Sequence, residues 1–220
     1  MCIHNHWGEP LRDHLDFSSD VEYYIESLQF NRLFGFTNFS LCKLMKSGML
    51  ELIFEANNEI FIKYMISNVT YINTVDHYGR SLIHYLLSYS NNAQLINYFI
   101  NKYYLDLECS DNLNQKPIHY VSSLDTIGKL ELLVNKGVDL ECMDDNEWKP
   151  IHFACRYGTS ETIKLLINEG VMMECININK RRPTIDYEIK DLLTMNRYLT
   201  IASIHEILKI IEKKTSRTTN

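Results

Sequence analysis

A fixed spacing constrains this chain more than any other feature. Cys109, Cys142 and Cys175 stand 33 residues apart, each behind a glutamate in the triplets LEC, LEC and MEC. Pro117, Pro150 and Pro183 keep the same interval of 33. His84, His119 and His152 follow at 35 and 33, and Asp76, Asp111 and Asp144 precede them by eight residues each time. Disulfides and metal sites do not require a constant interval along a chain, whereas repeated supersecondary units do. KPIHYVSSL at 116–124 and KPIHFACRY at 149–157 are therefore two copies of one structural element.

Three rows align on this period: 76–110, 111–143 and 144–176. The first is two residues longer, with the extra residues near 90–92 and 103–105, both loop positions where insertions are tolerated. Each row opens with a polar, Asx-rich turn. Proline then takes the first helical turn, where its missing N–H costs nothing. A short helix is expected over 151–156, and a second over 161–167 with Ile163, Leu166 and Ile167 on its apolar face. Gly137 and Gly170 follow the second helix, where a positive φ closes the helix end. Two short helices and an extended turn cannot bury their own apolar faces, so they must stack on neighbouring copies.

The rows resemble ankyrin repeats, whose pattern runs D-x-x-G-x-T-P-L-H-x-A, a turn, a helix ending L-L-x-x-G, and a hairpin loop. KPIHFACRYGTSETIKLLINEG at 149–170 covers nearly the whole pattern. The resemblance implies an all-α ankyrin-repeat solenoid of about four to five units. Its boundaries fall at 46–75, 76–110, 111–143, 144–176 and a partial unit at 177–187. Helical caps are expected at 1–45, with helices over 20–30 and 40–46, and at 188–220. Leu199, Ala202, Ile204, Ile207, Leu208 and Ile211 give the C-terminal cap an apolar stripe, and the tail KKTSRTTN is expected to fray. The sequence also departs from the pattern. Ser81, Lys116, Lys149 and Arg182 replace the Thr before proline, so the hydroxyl network around the histidine must change. The turn glycine survives only as Gly79, against Asn114, Glu147 and Lys180. Asn tolerates positive φ better than Glu or Lys, so the last two hairpin tips are expected to deviate.

Composition narrows the function. The chain has 220 residues, 45% hydrophobic and 23% charged, with a net charge of −6 and no lysine–arginine stripe. A nucleic-acid partner would call for a basic surface, so none is expected. Neither a basic start with an apolar run nor a 20-residue apolar span is seen, which points away from secretion and membranes. A cytoplasmic or nuclear setting with reduced cysteines follows as the expectation. Abundant Asn, Ile, Lys and Tyr suit an AT-rich genome, such as that of a large DNA virus or a protist.

Stacked repeats set equivalent positions about 10 Å apart, too far for His84, His119 and His152 to share a metal whose ligands sit about 2 Å away. The resemblance implies instead that each histidine bonds the turn backbone. Cys2, His4, His6 and His14 have metal-ligand types but match no standard spacing. Cys155 has no His–Asp constellation beside it and reads as a small core-facing or groove residue. No nucleotide-binding, zinc-protease or nucleophile-elbow motif occurs, and no cofactor, metal or catalysis is expected. By resemblance the function is protein–protein recognition through hairpin tips and the inner helix face. Carried over by position, the contacts are Tyr78, Arg80, Leu113, Gln115, Asn146 and Trp148 on the tips, with Tyr89, Arg156 and Tyr157 on the helices. Tyr85, Tyr120 and Phe153 recur at one position and read equally as packing between repeats. The alternative is an adaptor whose terminal helices recruit a second complex, for example ubiquitin-ligase machinery.

Overall fold

The computed structural model describes residues 39–172 and 189–218, apart from positions 47, 56, 58, 68 and 125. The expected helix at 20–30, the N-terminal Cys/His cluster and the partial unit at 177–187, with Lys180, Arg182 and Pro183, lie outside the described residues. The chain divides into two compact units, 1–105 and 106–220.

In the first unit, β1 (Phe39–Ser40) leads into α1 (Leu41–Lys46), α2 (Met49–Glu55) and α3 (Glu59–Ser67). Next come β2 (Val69–Thr70), α4 (Leu82–Tyr89) and α5 (Ala93–Tyr103). β1 and β2 pair in parallel, with Phe39 opposite Val69 and Ser40 opposite Thr70. α2 packs against α1, α3 and α4, and α4 packs against α5. Leu50, Ile53, Phe54, Ile83, Leu86 and Phe99 are fully buried or nearly so. α5 starts where the Asn92 side chain accepts the Leu95 N–H at 3.0 Å, satisfying a donor that has no partner within the helix. It ends at Tyr104, which takes a left-handed φ of 51°.

The second unit holds α6 (Pro117–Ser122), α7 (Ile127–Asn135), α8 (Pro150–Tyr157), α9 (Ser160–Asn168), α10 (Ile189–Met195) and α11 (Ile201–Thr218). α6, α8 and α10 lie side by side as one layer. α7, α9 and α11 form the second layer, and each first helix packs on the second helix of its own pair. α10 thus stands beside α8 as α8 stands beside α6. Leu130, Leu133, Ile151, Ala154, Ile163, Leu166, Leu192, Leu193 and Ile207 are all fully buried. Gly158 marks the closest approach of the first layer. A Cβ there would lie 2.7 Å from the Ser122 carbonyl and 2.8 Å from that of Ala154, so no side chain fits.

α11 corrects the expectation of a frayed tail. Helix runs on to Thr218, and the Lys214 ammonium donates to the Ile167 carbonyl near the end of α9. Lys164 on α9 also pairs with Glu206 at 2.9 Å. Within the polar segment that reads as tail, Lys214 thus has a partner on α9.

Candidate protein-binding surface

Each hairpin tip is built on its opening aspartate. One carboxylate oxygen of Asp76 accepts the N–H groups of Tyr78 and Arg80 at 2.9 and 2.8 Å. Asp111 does the same for Leu113 and Gln115, and Asp144 for Asn146 and Trp148. The aspartate N–H then donates to the carbonyl four residues on, at 3.0 Å in all three tips. The residue between is left-handed each time: Gly79 at φ 79°, Asn114 at 58° and Glu147 at 64°. The expected deviation at Glu147 is therefore wrong. Three hydrogen bonds through Asp144 close the loop whatever residue stands there, and Glu147 carries the strain of a side chain at positive φ.

The other oxygen of the aspartate reports on the recurring aromatics. The Tyr85 hydroxyl donates to Asp76 at 2.9 Å, and the Tyr120 hydroxyl to Asp111 at 2.7 Å. Phe153 has no hydroxyl, and there Asp144 accepts the Gln115 and Asn146 side-chain amides at 3.3 and 3.4 Å. Tyr85 and Tyr120 are buckles of their own turns, a role within one repeat.

The histidines close the other side of the tip. His84, His119 and His152 each accept, on Nδ1, the N–H three residues before, at 3.1, 2.9 and 2.9 Å. An imidazole that accepts on Nδ1 is neutral and carries its proton on Nε2. For His119 that second nitrogen lies 3.3 Å from the Cys142 carbonyl of the next loop. Burial pushes the pKa of His119 and His152 below the usual histidine range, in keeping with the neutral form.

The lysines that replaced the family's threonine have a different use. Lys116 reaches back to Glu108 at 2.8 Å, and buried Lys149 reaches Glu141 at 2.6 Å. The same glutamates accept backbone N–H groups one repeat further on: Glu108 from Asp139 at 2.9 Å and Glu141 from Met172 at 2.7 Å. The LEC and KPIH motifs are thus two halves of one brace that ties consecutive repeats. The cysteine of each motif turns its thiol to the carbonyl three residues before, Cys109 to Asp106 and Cys142 to Asp139. Burial pushes the Cys142 thiol up to about 12, far from a reactive thiolate. Cys155 is fully buried, in the core.

The expected contact residues fall into separate groups. In the first unit, Tyr78 is 56% exposed with the Arg80 guanidinium 5.2 Å from its ring. Arg80 itself bonds the Asp76 carboxylate and the Tyr85 hydroxyl, both at 2.8 Å. Tyr89 is half-buried, its ring 5.9 Å from that of Tyr85. In the second unit, Leu113 and Asn146 are exposed, Gln115 bridges to Asp144, and Trp148 sets its ring edge-on to Phe153 at 5.4 Å. The Asp145 N–H donates to the Leu113 carbonyl at 3.0 Å, and the Asn114 amide to the Met143 carbonyl at 3.2 Å, so these two tips form one surface.

Arg156 and Tyr157 do not join that surface. They end α8, about 10 Å along its axis from Pro150 at the tip. Arg156 donates to the Met195 carbonyl at 2.7 Å. The buried Asn196 amide donates to the Cys155 and Gly158 carbonyls at 3.0 and 2.9 Å. Sequence reasoning missed Asn196. A lone Asn in TMNRYL carries no signal until α10 is known to lie on α8.

The model of a family described as ankyrin repeats (3 copies) matches residues 118–212. The Asp-closed tips, the histidine bonds and the paired helical layers agree with that match. Residues 118–212 are ankyrin repeats. The match runs through α10 and into α11, which stack on α8 and α9 as a further helix pair. No curated protein matches the chain. The second unit has the stacked helix pairs of an ankyrin solenoid, and ankyrin repeats serve in general as protein–protein interaction modules rather than enzymes. No described helix is long and apolar enough to cross a membrane.

Proposed function

We propose that this ankyrin protein is a non-catalytic recognition module that holds a protein partner on the joined tips of its second unit. One observation carries the reading. Leu113 and Asn146 project from turns whose backbones are bonded to each other, beside the edge of Trp148, so an apolar anchor, an amide and an aromatic ring are presented on preorganised loops. Gln115 lies at the same surface. Tyr78, Arg80 and Tyr89 form a separate group on the first unit, with Tyr78 the exposed member. The setting expected from the sequence is cytoplasmic or nuclear.

Trp148→Ala tests the reading. The variant keeps its far-ultraviolet circular dichroism and melting temperature and loses affinity for proteins captured by the wild-type chain. If Trp148→Ala unfolds the chain, Trp148 is core and the tip surface falls.

A second reading, an adaptor that engages another complex through its terminal helices, has one observation of its own. Tyr198 and Ile201 are 75% and 76% exposed, whereas Leu192, Leu193 and Ile207 of α10 and α11 are fully buried. Deleting 188–220 would uncover the buried faces of α8 and α9. Point substitutions at Tyr198 and Ile201 test this surface without that damage.

A further inference from the structure

The turn after α10 is held in place with unusual care. Asn196 is buried, and its amide caps two carbonyls at the C-terminal end of α8. Its own side-chain oxygen accepts the Tyr198 N–H at 2.8 Å. Arg156 in turn caps the Met195 carbonyl at the end of α10. Each helix end is thus closed by a residue from the other, which locks the 195–198 turn against the end of α8. A buried polar clamp of this kind fixes one geometry, because breaking it would strand donors and carbonyls away from water.

What the clamp presents is apolar and cationic. Met195, Tyr198 and Ile201 are 42%, 75% and 76% exposed, and Tyr157 at the end of α8 is 45% exposed. Arg197 is exposed between them, and the Arg156 guanidinium lies 5.1 Å from the Tyr157 ring. Neither 150–160 nor 192–205 contains an Asp or Glu, in a chain with 28 acidic against 22 basic residues. Glu206, the next acid along α11, is paired with Lys164. Tyrosine and arginine on a rigid support are the side chains that anchor interfaces, and a patch with arginines within it and acids only at its edge, at Asp191 and Glu161, selects its partner by charge on an acidic protein.

We infer that the ends of α8 and α10 form a second docking site, distinct from the hairpin tips, for an acidic segment of a partner protein. Carboxylates of that segment pair with Arg197 and the outer edge of Arg156. An aromatic or aliphatic side chain of the segment packs among Tyr157, Tyr198 and Ile201. The site does not depend on the tip surface and can be tested apart from it.

A display library of random 16-residue peptides, selected on the full-length chain, supplies the probe. The enriched peptides should be rich in Asp and Glu around one apolar anchor. Their affinity should drop at least tenfold in Arg197→Glu and in Tyr198→Ala, weaken as salt rises, and be unchanged in Trp148→Ala. Arg197 and Tyr198 are exposed and Trp148 is half-buried, and an unshifted melting temperature shows that each variant is folded. Peptides without acidic enrichment, or no binders at all, would overturn the proposal. Acidic peptides lost only in Trp148→Ala would assign them to the tips and also overturn it. Dimerisation in sedimentation that Tyr198→Ala abolishes would give the surface to a second copy of the chain. Tight binding of a single-stranded RNA 20-mer, lost in Arg197→Glu, would give it to nucleic acid. Either result would sink the acidic-segment assignment.

Discussion

Between residues 76 and 105 a tip is closed by one arginine and one tyrosine, whereas between 106 and 172 successive tips are tied by glutamate–lysine braces. The repeat is the same and the local grammar nearly so. Asn73 and Ser81 occupy the positions that Glu108 and Lys116 hold one row later, so the first row cannot build the brace. Ser81 instead keeps a hydroxyl 3.0 Å from His84 Nδ1, and Arg80 and Tyr85 share Asp76. Burial raises the Asp76 pKa, but the backbone and guanidinium of Arg80 and the Tyr85 hydroxyl more than offset it, leaving the carboxyl below its ordinary range. The lesson is that the tip fold is set by the aspartate and histidine common to both regions. The means of linking one tip to the next is open to substitution.

Core deletions should be the largest effects and the least sensitive to this difference. Phe99, Leu133 and Leu166 hold one position in successive second helices, all fully buried. Leu133→Ala and Leu166→Ala should each cost about 2–5 kcal/mol in chemical denaturation. Costs well below that range would mean that the second layer is loosely packed.

The braces come next. Lys149 is 2% exposed and its partner Glu141 33%, against 23% and 43% for Lys116 and Glu108. Glu141→Gln leaves a buried ammonium with a weaker partner and should cost about 1–3 kcal/mol. Glu108→Gln should cost about 1 kcal/mol or less. Restoring stability in the double variant Glu141→Gln/Lys149→Met would show that the cost is the stranded charge. Equal losses at Glu108 and Glu141 would remove burial as the distinction.

A buried lysine sharpens the comparison from the other side. Leu95, Lys129 and Thr162 share one buried position in successive second helices. Burial pushes the Lys129 ammonium down to about 8. The unfolded chain holds that proton up to about 10.4. Between those values the unfolded state binds more protons, so stability rises with pH there and the burial penalty is fully present below about 8. Lys129→Leu should stabilise the neutral protein by about 1–3 kcal/mol and flatten that alkaline rise. An unchanged pH profile would show that Lys129 is not what titrates.

The smallest effect tests the turns. Glu147 and Tyr104 are left-handed, while Gly79 and Gly137 hold the matching positions in other rows. Glu147→Gly and Tyr104→Gly should raise stability by about 0.5–1 kcal/mol, as relief of strain outweighs the added freedom of the unfolded chain. Gly137→Ala should do the reverse. Calorimetric melting points resolve these shifts.

Much of the fold was legible because ankyrin contacts within one repeat are short in sequence. The Asp–His interval, the proline at the helix start, and the apolar spacing of α8 and α9 all lie within one row. The metal-like histidines and the cysteines reduce to turn chemistry once that row is drawn. The contact surface was legible only in part. Arg80 and Tyr89 have the types of interface residues, yet Arg80 also buckles its own turn. Arg156 and Tyr157 belong to another end of α8. Nothing in the spacing of Glu108 and Lys116 says that they meet, since salt pairs eight residues apart form only if a hairpin folds them together.

The sequence by itself determined the repeat, its tips and its buried stripes, because propensity, turn chemistry and periodicity act over a few residues. Only the tertiary structure decided the Glu–Lys braces, the Gly158 contact, the helical course of 213–218 and the Asn196 clamp. Each of these joins groups from different repeats, or from either side of a hairpin. Their partners are fixed by the rigid offset of one helix pair on the next, which short-range spacing does not encode.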